Sequence, residues 1–465
     1  MSCYLAYAEP MPTKLSDTVV GSDTLVMTQG GQRPYINLDN AASTPPFQEV
    51  VQSVLSYAPW YSSIHRGNGL KSRISTRLYE DARQVVGGFV GASLDEHVVI
   101  FGKNTTEAIN KLSYRLGLHR KDIVLISGLE HHSNDLPWRA KATVKRIKTL
   151  PDGSIDKQHF LFLLGHYQKR IRLVAISGAS NVTGHIPDIH WFAREAHAIG
   201  ARIFVDCAQL FAHRPIDMKR LDNPDHIDYI AFSAHKAYAP FGTGALVGRK
   251  DTFIQGAPEY SGGGTISSVT PTTVDWALTP DRDEAGSPNV VGVIALVAAV
   301  RTLQQIGFDV IRRHETSLTR YALEKLGTNK VKLYGNPDPA YSKFRSGVIP
   351  FTMVDVPSNL VAAILGHEWG IGVRSGCFCA QSYVMNLLGL SRQEQQKMRS
   401  HILHYRRDVV PGMVRISFGI YNTKQEIDLL AQALEAIASG NHGEYTVDEK
   451  TGQYSPTKNR FYLET

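Results

Sequence analysis

The chain has 465 residues, of which 43% are hydrophobic and 20% are charged, a balance typical of a globular protein with two or three domain-sized units. Its net charge of +7 is spread along the sequence without a nucleic-acid-binding motif, and we find no apolar run that would span a bilayer and no secretory signal. Four cysteines are too few for a disulfide framework and match no zinc spacing, so we expect a soluble cytoplasmic protein without a metal, membrane or nucleic-acid partner.

Strands and helices are predicted to alternate from about residue 80 to residue 305. The predicted strands cover residues 97–101, 123–127, 172–177, 201–205, 228–232 and 244–247. Asp188 is the predicted N-cap of a connecting helix that ends at Gly200. This pattern predicts an α/β fold with a mostly parallel sheet and helices on both faces. Since ligands of such sheets bind beyond the carboxyl ends of the strands, the residues after each strand are the first candidates for a site.

Two candidate segments follow the first two predicted strands. A helix is predicted to begin within residues 102–107, where free N–H groups and the hydroxyls of Thr105 and Thr106 would suit a phosphate group. The same run is also a good ordinary N-cap. In residues 130–134, His131 is suited to stack on an aromatic cofactor, although a purely structural histidine is the more common case.

The most informative pair is Lys236 and Asp206, each placed at the end of a predicted buried strand. A pyridoxal phosphate (PLP) enzyme needs such a lysine for its Schiff base and such a carboxylate to keep the pyridinium nitrogen protonated. A buried structural ion pair has the same composition. Gln209, one turn beyond Asp206, could bond the phenolic oxygen of the cofactor, and Ser233 and His235 beside the lysine are further phosphate donors.

The second half of the chain is predicted to open with an extended hairpin over residues 265–274 and a long helix over residues 290–305. After about residue 306 the pattern becomes α+β. We therefore predict four segments, namely an N-terminal segment that packs with the small domain (1–35), a large PLP-binding domain (36–305), a small C-terminal domain (306–440) and a polar tail (441–465). The tail either lacks order or forms a short docked hairpin around Thr451 and Gly452, and we favour weak order.

Two later segments carry candidate chemistry. Cys377 and Cys379 lie in a loop of small residues that begins at Arg374, and a basic surrounding would favour the nucleophilic thiolate. Arg415 is predicted to point away from its neighbour Ile416 in a strand, where a planar guanidinium can grip a carboxylate with two hydrogen bonds. A surface arginine on an edge strand would show the same pattern.

Taken in order, these segments resemble fold type I PLP enzymes of the class V aminotransferase family, especially its cysteine desulfurase and selenocysteine lyase group. The resemblance runs from about residue 38 to about residue 423. It implies a PLP-dependent transferase fold and a homodimer with shared active sites, in which Ser287 reaches the cofactor phosphate of the other subunit. The cofactor ligands that it implies are Thr105, Thr106, His131, Asp206, Gln209, Ser233, His235, Lys236 and Ser287. The substrate-binding residues are Asn181, Arg415, His65 and Arg374.

The resemblance also implies an activity. Cys379 matches the sulfur-accepting cysteine of the short-loop (group II) enzymes, so the chain is expected to convert L-cysteine to L-alanine with Lys236, Cys379 and His131 as catalytic residues. A sulfur-acceptor protein would be a partner. The chain departs from the family pattern at Cys377, in the charged stretch 390–409 and in the tail after residue 440. The alternatives are a lyase on selenocysteine, cystine or a cysteine conjugate, another class V reaction, and a non-catalytic scaffold.

Overall fold

The computed structural model describes residues 14–457. Its strands are β1 (Leu25–Thr28), β2 (Gly31–Pro34), β3 (Ile36–Asn37), β4 (His97–Gly102), β5 (Ile123–Ser127), β6 (Thr143–Ile147), β7 (Ile171–Ser177), β8 (Arg202–Asp206), β9 (Tyr229–Ser233), β10 (Gly244–Arg249), β11 (Ile266–Val269), β12 (Val274–Trp276), β13 (Val331–Leu333), β14 (Val348–Met353), β15 (Ile371–Gly372), β16 (Arg374–Gly376), β17 (Met413–Ser417), β18 (Tyr445–Val447) and β19 (Tyr454–Pro456). Its helices are α1 (Gln48–Tyr57), α2 (Leu70–Phe89), α3 (Thr105–Arg115), α4 (Leu136–Lys141), α5 (Lys157–Tyr167), α6 (Ile189–His197), α7 (Val290–Ile306), α8 (Phe308–Leu326), α9 (Ser358–Trp369), α10 (Gln381–Leu387), α11 (Arg392–Leu403) and α12 (Lys424–Ala438).

A seven-stranded sheet in the order β4-β10-β9-β8-β7-β5-β6 forms the centre of the large part of the molecule. β10 is antiparallel to both of its neighbours, and the remaining pairs are parallel. Successive residues of β4 enter different apolar clusters, with Val98 and Ile100 in one and Val99 and Phe101 in the other. Both faces of the sheet are therefore covered, which explains why its strands are continuous apolar runs.

Each predicted strand is present in this sheet, with bounds that differ by up to two residues. The predicted helix begins after Asp188, whose side chain accepts a hydrogen bond from Trp191 N at 3.1 Å, and Gly200 beyond its end has φ of +77°. The extended hairpin is confirmed as β11 and β12, and the long helix as α7. β6 was not predicted because its residues are mostly half-buried and include Thr, Lys and Arg. Such a composition is typical of a strand at the sheet edge.

A four-stranded antiparallel sheet in the order β13-β14-β17-β16 lies in the C-terminal half. Its apolar residues form a separate cluster with α8, α9 and α12. The N-terminal pair β1–β2 joins this half, since Gln29 N donates to His367 O of α9 at 3.0 Å. The domain boundaries at residues 35, 305 and 440 remain predictions.

The expectation of weak order after residue 440 is wrong for the part of the tail that the structure describes. β18 and β19 form an antiparallel hairpin, and its turn is held where Asn359 Nδ2 donates to Gly452 O at 2.9 Å. At the base, Tyr445 Oη donates to Glu368 at 2.9 Å. Polar contacts to α9 fix this hairpin, and a search for apolar periodicity does not detect such contacts. Residues 458–465 lie outside the described part.

No single helix within residues 14–457 is long and apolar enough to cross a membrane. α7 and α8 reach the required length and composition only as a pair, and the two helices meet at an angle of 78°. Most residues of α7 are buried inside the protein.

Glu315 of α8 is a buried carboxylate that links the C-terminal half to the loop after β8. It accepts hydrogen bonds from His213 Nδ1 at 2.7 Å, from Gly347 N at 2.9 Å and from Arg214 Nη1. Burial alone would raise the pKa of Glu315, but His213 and Arg214 lower it to about 2. The link therefore depends on an ionised carboxylate.

We predict that Glu315→Gln lowers the free energy of unfolding by about 3–5 kcal/mol at neutral pH, because it leaves the buried guanidinium of Arg214 without its charged partner. A carboxylate with a depressed pKa stabilises the fold above its unfolded pKa near 4.5, and this contribution is lost as the pH falls towards 2. The difference between wild type and variant should therefore shrink below pH 4.5 in denaturant titrations. Glu324→Gln, an exposed change on the same helix, is the control. Equal losses in the two variants would contradict the role of Glu315.

Candidate active site

A cavity of about 330 Å³ lies at the carboxyl ends of β7, β8 and β9. The last residue of each strand, Ser177, Asp206 and Ser233 respectively, lines it. This is where the parallel strand pattern places a ligand site. The cavity is also lined by most of the sequence-predicted site residues, which are Thr105, Thr106, His131, Asn181, Asp206, Gln209, Ser233, His235, Lys236, Arg374, Cys379 and Arg415.

Lys236 and Asp206 both line this cavity, and their charges interact. Burial of its amino group lowers the pKa of Lys236, although the residue as a whole is only partly buried. Arg415 lowers it further, while Asp206 acts in the opposite direction. Burial raises the pKa of Asp206, and its Oδ1 accepts only from Ala208 N at 2.9 Å among the described residues. The pair therefore combines an amine that loses its proton readily with a carboxylate that has a free oxygen to offer.

The N-terminus of α3 forms a polar cradle at one end of the cavity. Asn104 caps the helix by accepting from Glu107 N at 3.0 Å. The Thr105 and Ser233 hydroxyl oxygens lie 2.7 Å apart, and so do those of Thr106 and Ser133, a residue that the sequence analysis missed. Hydroxyl donors at a helix N-terminus are suited to a phosphate group.

His131 is held as a neutral ring beside this cradle. Its Nδ1 accepts from Ser133 N at 3.1 Å, which places the proton on Nε2. Burial, with Lys236 next, lowers the pKa of His131 to about 3. Burial likewise lowers the pKa of His235 to about 4, with Lys236 contributing. Both rings are therefore uncharged at neutral pH, as stacking on or bonding to a cofactor would require.

Glu130 directly precedes His131 in the chain and was not identified as a site residue from the sequence. The carboxylate accepts from Ser177 N at 2.9 Å, from Ser177 Oγ at 2.6 Å and from Asn134 Nδ2 at 2.6 Å, as well as from Ser127 Oγ. Burial raises its pKa to about 7, and these hydrogen bonds oppose the shift. A fixed carboxylate directly before His131 orients the backbone that presents the ring.

Two arginines and one carboxylate form a charged cluster at the other end of the cavity. Arg415 donates from Nη2 to Asp39 Oδ1 at 2.9 Å and from Nη1 to Asn181 O at 3.0 Å, while its buried Nε has no hydrogen-bond partner in the described chain. Arg374, directly opposite in the β16–β17 register, contacts Asp39 Oδ2 at 2.8 Å. Burial lowers the pKa of Arg415, opposed by Asp39. The cluster carries one more positive than negative charge, so a substrate carboxylate fits it.

The loop after β16 presents Cys379 to the cavity. Cys379 is exposed and free, whereas Cys377 is half-buried and does not line this cavity. Phe378 and Cys379 have φ of 52° and 53°, the left-handed region that turns the chain sharply. Asn181 Nδ2 donates to Phe378 O at 2.8 Å and His132 N donates to Cys379 O at 2.7 Å. These bonds hold the turn with the thiol pointing into the site.

Three predicted site residues either lie outside this cavity or are bonded within it to other protein groups. Ser287 and His65 are exposed and lie outside the cavity of this single chain, and His65 Nε2 contacts Glu80 at 3.0 Å. Gln209 does line the cavity, but its Nε2 donates to Ala41 O at 2.6 Å. The cofactor and substrate roles given to these residues remain predictions.

The cavity fits PLP on the chemistry of its side chains. It offers one lysine for the aldehyde of PLP and one buried carboxylate for the ring nitrogen. It also offers a neutral histidine for the ring face and a hydroxyl cradle at a helix N-terminus for the phosphate. Asp39 completes the substrate end. It follows Ile36-Asn37-Leu38, a short segment that is not an apolar run, so the local sequence gives no signal for it.

Comparison with known proteins gives a consistent result. The Aminotransferase class-V family model matches residues 36–430. A cysteine desulfurase of Haloferax volcanii is 33% identical over 413 residues, covering 87% of this chain and 89% of that protein. The solved structure of the cysteine desulfurase from Thermococcus onnurineus NA1 is similar with a TM-score of 0.74 at 31% identity, covering 87% of this chain and 95% of that one. The cysteine desulfurase CsdA from Escherichia coli has a TM-score of 0.72 at 28% identity, with the same coverage.

Proposed function

The chain belongs to the aminotransferase class-V family of PLP-dependent enzymes, and from this premise we propose that it is a cysteine desulfurase that converts L-cysteine to L-alanine. One observation carries the proposal beyond the family, namely that the exposed thiol of Cys379 lines the same cavity as Lys236 and Asp206. A PLP enzyme that only moves an amino group has no use for a nucleophilic thiol at this place. Relatives bearing the name cysteine desulfurase match over most of their length.

PLP would be linked to Lys236, with its ring nitrogen on Asp206, its face on His131 and its phosphate in the cradle of Thr105, Thr106, Ser233 and His235. When bound, it withdraws electrons from the α-carbon of the substrate and so makes the α-proton acidic. Asp206 keeps the ring nitrogen protonated, which is what this withdrawal needs. The raised pKa of Asp206 favours sharing of a proton between the two groups.

The substrate carboxylate is bound by Arg415. Its guanidinium is buried and fixed by Asn181 O and Asp39, and the unpartnered Nε is available for a further acceptor. Arg374 adds a second positive charge from the neighbouring strand. Arg415 and Cys379 line the same cavity, so a short amino acid bound through its carboxylate can present its thiol to Cys379.

Lys236 acts as the base once the substrate amine has taken its place. Burial lowers the pKa of Lys236, which favours the neutral amine that can accept the α-proton. The same ammonium can then return the proton to the carbon that loses sulfur.

Cys379 takes the sulfur. Its thiolate sulfur forms a bond to the substrate sulfur while the carbon–sulfur bond breaks. The electron pair of that bond remains with the β-carbon, which takes the proton held by Lys236, and the proton that the Cys379 thiol gave up replaces the one removed from the α-carbon, which completes alanine. In sum, a thiol and cysteine become a persulfide and alanine, so atoms and electrons balance without an external oxidant. The persulfide on Cys379 then awaits an acceptor. Exposure of Cys379 allows such an acceptor to approach.

Arg415→Ala should reduce kcat/KM for L-cysteine by about tenfold to a hundredfold, since a charge-assisted pair of this kind contributes about 1.5–3 kcal/mol. The visible absorbance of bound PLP should stay normal. Arg415→Lys is the matched control, because it keeps the charge and loses the planar fork. Its kcat/KM should lie between those of wild type and Arg415→Ala. Steady-state kinetics with equal kcat/KM in all three proteins would rule the role out.

We also propose a homodimer in which Ser287 contributes to the site of the other subunit. Ser287 is exposed and lies between α7 and the β11–β12 hairpin, whose surroundings expose several large apolar side chains, among them Leu278 at 81% and Val269 at 58%. Exposed large apolar side chains that lie close together in the chain are a common feature of interfaces. Light scattering tests the dimer, and weakened PLP binding in Ser287→Ala tests the shared site. A monomer with full PLP affinity would contradict both.

The proposed activity is tested by incubating PLP-loaded protein with L-cysteine and a reductant, and measuring alanine and sulfide together. We expect the two in equal amounts. Absence of alanine, with pyruvate in its place, would instead indicate a β-eliminating lyase on the same scaffold.

A further inference from the structure

The loop that begins at β16 separates two cavities. Phe378 and Cys379 line the cavity already described, whereas Cys377 lines a second cavity of about 760 Å³. Gly376 precedes this pair with φ of 104°, and the left-handed turn at 378 and 379 directs the two cysteines into different spaces. A single short loop thus presents one thiol to each cavity.

The second cavity is built largely from segments in which this chain departs from the pattern of the resembling family. α11, within the charged stretch 390–409, contributes Met398 and Ile402. The β18–β19 hairpin contributes its turn and Tyr454, and α9 closes a third side. The proposed desulfuration uses none of these segments. We therefore expect the cavity that they form together to have a separate function.

The second cavity is lined by one positively charged side chain, Arg407, and its lining includes no aspartate or glutamate. The Arg407 guanidinium forms no hydrogen bond or ion pair within residues 14–457, while its neighbour Arg406 is paired with Asp408 at 2.9 Å. An unpaired guanidinium in a cavity without carboxylates is suited to an anionic ligand.

We propose that this second cavity is the sulfur-acceptor site, that its ligand is a small thiol bearing a carboxylate or sulfonate, and that Cys377 carries the sulfur from Cys379 to that ligand. The inference rests on the proposed function, because the sulfur comes from the persulfide on Cys379. Cys377 is half-buried, so a thiol must enter the cavity to reach it, and a small molecule does this more readily than a folded protein. A volume of this size is typical of small-molecule sites.

The transfer consists of two balanced exchanges. The sulfur of Cys377 bonds to the outer sulfur of the Cys379 persulfide, the existing sulfur–sulfur bond breaks, and the proton of Cys377 passes to the departing Cys379 sulfur. The ligand thiol then repeats the exchange on Cys377 and leaves as a persulfide. Burial keeps Cys377 protonated at rest, with a pKa of about 11. Although the two thiols line different cavities, they lie two residues apart and close enough for Cys379 to raise the pKa of Cys377 further, and this proximity offsets the low thiolate fraction.

The test uses holoenzyme that has received one pulse of L-cysteine and has then been freed of it. Three thiols of similar size are added separately: 3-mercaptopropionate, 2-mercaptoethanol and cysteamine, which carry negative, no and positive charge. Alkylation traps the small persulfides, and mass spectrometry counts them. Arg407→Gln removes the proposed anion contact, Arg406→Gln is the matched control, and the alanine released during the pulse is measured in every protein.

We expect wild type and Arg406→Gln to favour 3-mercaptopropionate over 2-mercaptoethanol, and Arg407→Gln to reduce this ratio by about three- to fivefold, the effect of one partly exposed charge pair. Cys377→Ser should lose most of the transfer, and peptide mapping of wild type should find sulfur first on Cys379 and then on Cys377. An unchanged ratio in Arg407→Gln, or full transfer in Cys377→Ser, would overturn the inference. Either result would also be expected if Cys379 passes its sulfur directly to an acceptor protein. A missing alanine pulse would refute the proposed function itself, so the two failures are distinct.

Discussion

Lys236→Ala is expected to abolish alanine formation, with a loss of about 10⁴-fold, at the upper end of what one acid–base group contributes, because Lys236 both links the cofactor and moves the α-proton. The structure places the side chain at the end of β9, opposite Asp206, with its pKa lowered by burial. No other lysine lines this cavity among the described residues. Another amine therefore cannot take over either task.

Borohydride reduction followed by peptide mapping checks this prediction. The wild-type protein should carry the reduced cofactor on the peptide that contains Lys236, and Lys236→Ala should carry none. Lys236→Arg is the matched control, because it keeps a positive charge and cannot form the link. A reduced label on another lysine refutes the assignment.

Cys379→Ser is expected to abolish desulfuration while substrate binding persists. A hydroxyl in this position is not an effective nucleophile towards sulfur, and Cys377 is a poor substitute because burial, with Cys379 next, raises its pKa to about 11. Cys377 also lines a different cavity from the one that contains Lys236. Cys377→Ser should therefore retain substantial alanine formation when an artificial reductant accepts the sulfur.

Intact-mass and peptide measurements after a cysteine pulse without reductant decide between the two thiols. The first persulfide should be found on Cys379 both in wild type and in the Cys377→Ser variant. Sulfur on Cys377 in the Cys379→Ser protein would reverse the assignment. Persulfide on neither cysteine would favour β-elimination.

Local sequence patterns were sufficient to predict most of the residues that line the cavity beyond β7, β8 and β9. Lys236 and Asp206 stand at the ends of long apolar runs, and parallel strands bring such ends to one edge of a sheet. Asn104 begins α3 as its capping pattern indicates. These features follow from nearest neighbours in the chain, so a single sequence contains them.

The parts that the sequence did not predict depend on distant contacts. Asp39 and Arg415 meet at 2.9 Å although nearly the whole chain lies between them, and nothing local to either residue indicates the pairing. The hairpin after residue 440 is ordered by Glu368 and Asn359 of α9. Glu130 is a core carboxylate only because three strand and loop segments surround it with donors.

The second cavity was also beyond the reach of the sequence. Cys377 was identified as a departure from the family pattern, but its neighbours Arg407 and Gly452 come from two other segments. Gly412 packs against the same loop so closely that a Cβ there would lie 2.7 Å from Gly376 Cα. Only the folded chain shows that these separate departures enclose one space.

The central claim is that the chain removes sulfur from cysteine and leaves alanine. Its most direct test is product identification by PLP-loaded enzyme with L-cysteine, L-selenocysteine and L-cystine in parallel, with alanine and pyruvate measured in each reaction. We expect alanine from L-cysteine, accompanied by persulfide on Cys379 and no pyruvate. Pyruvate as the main product, formed at the same rate in Cys379→Ser, would contradict it.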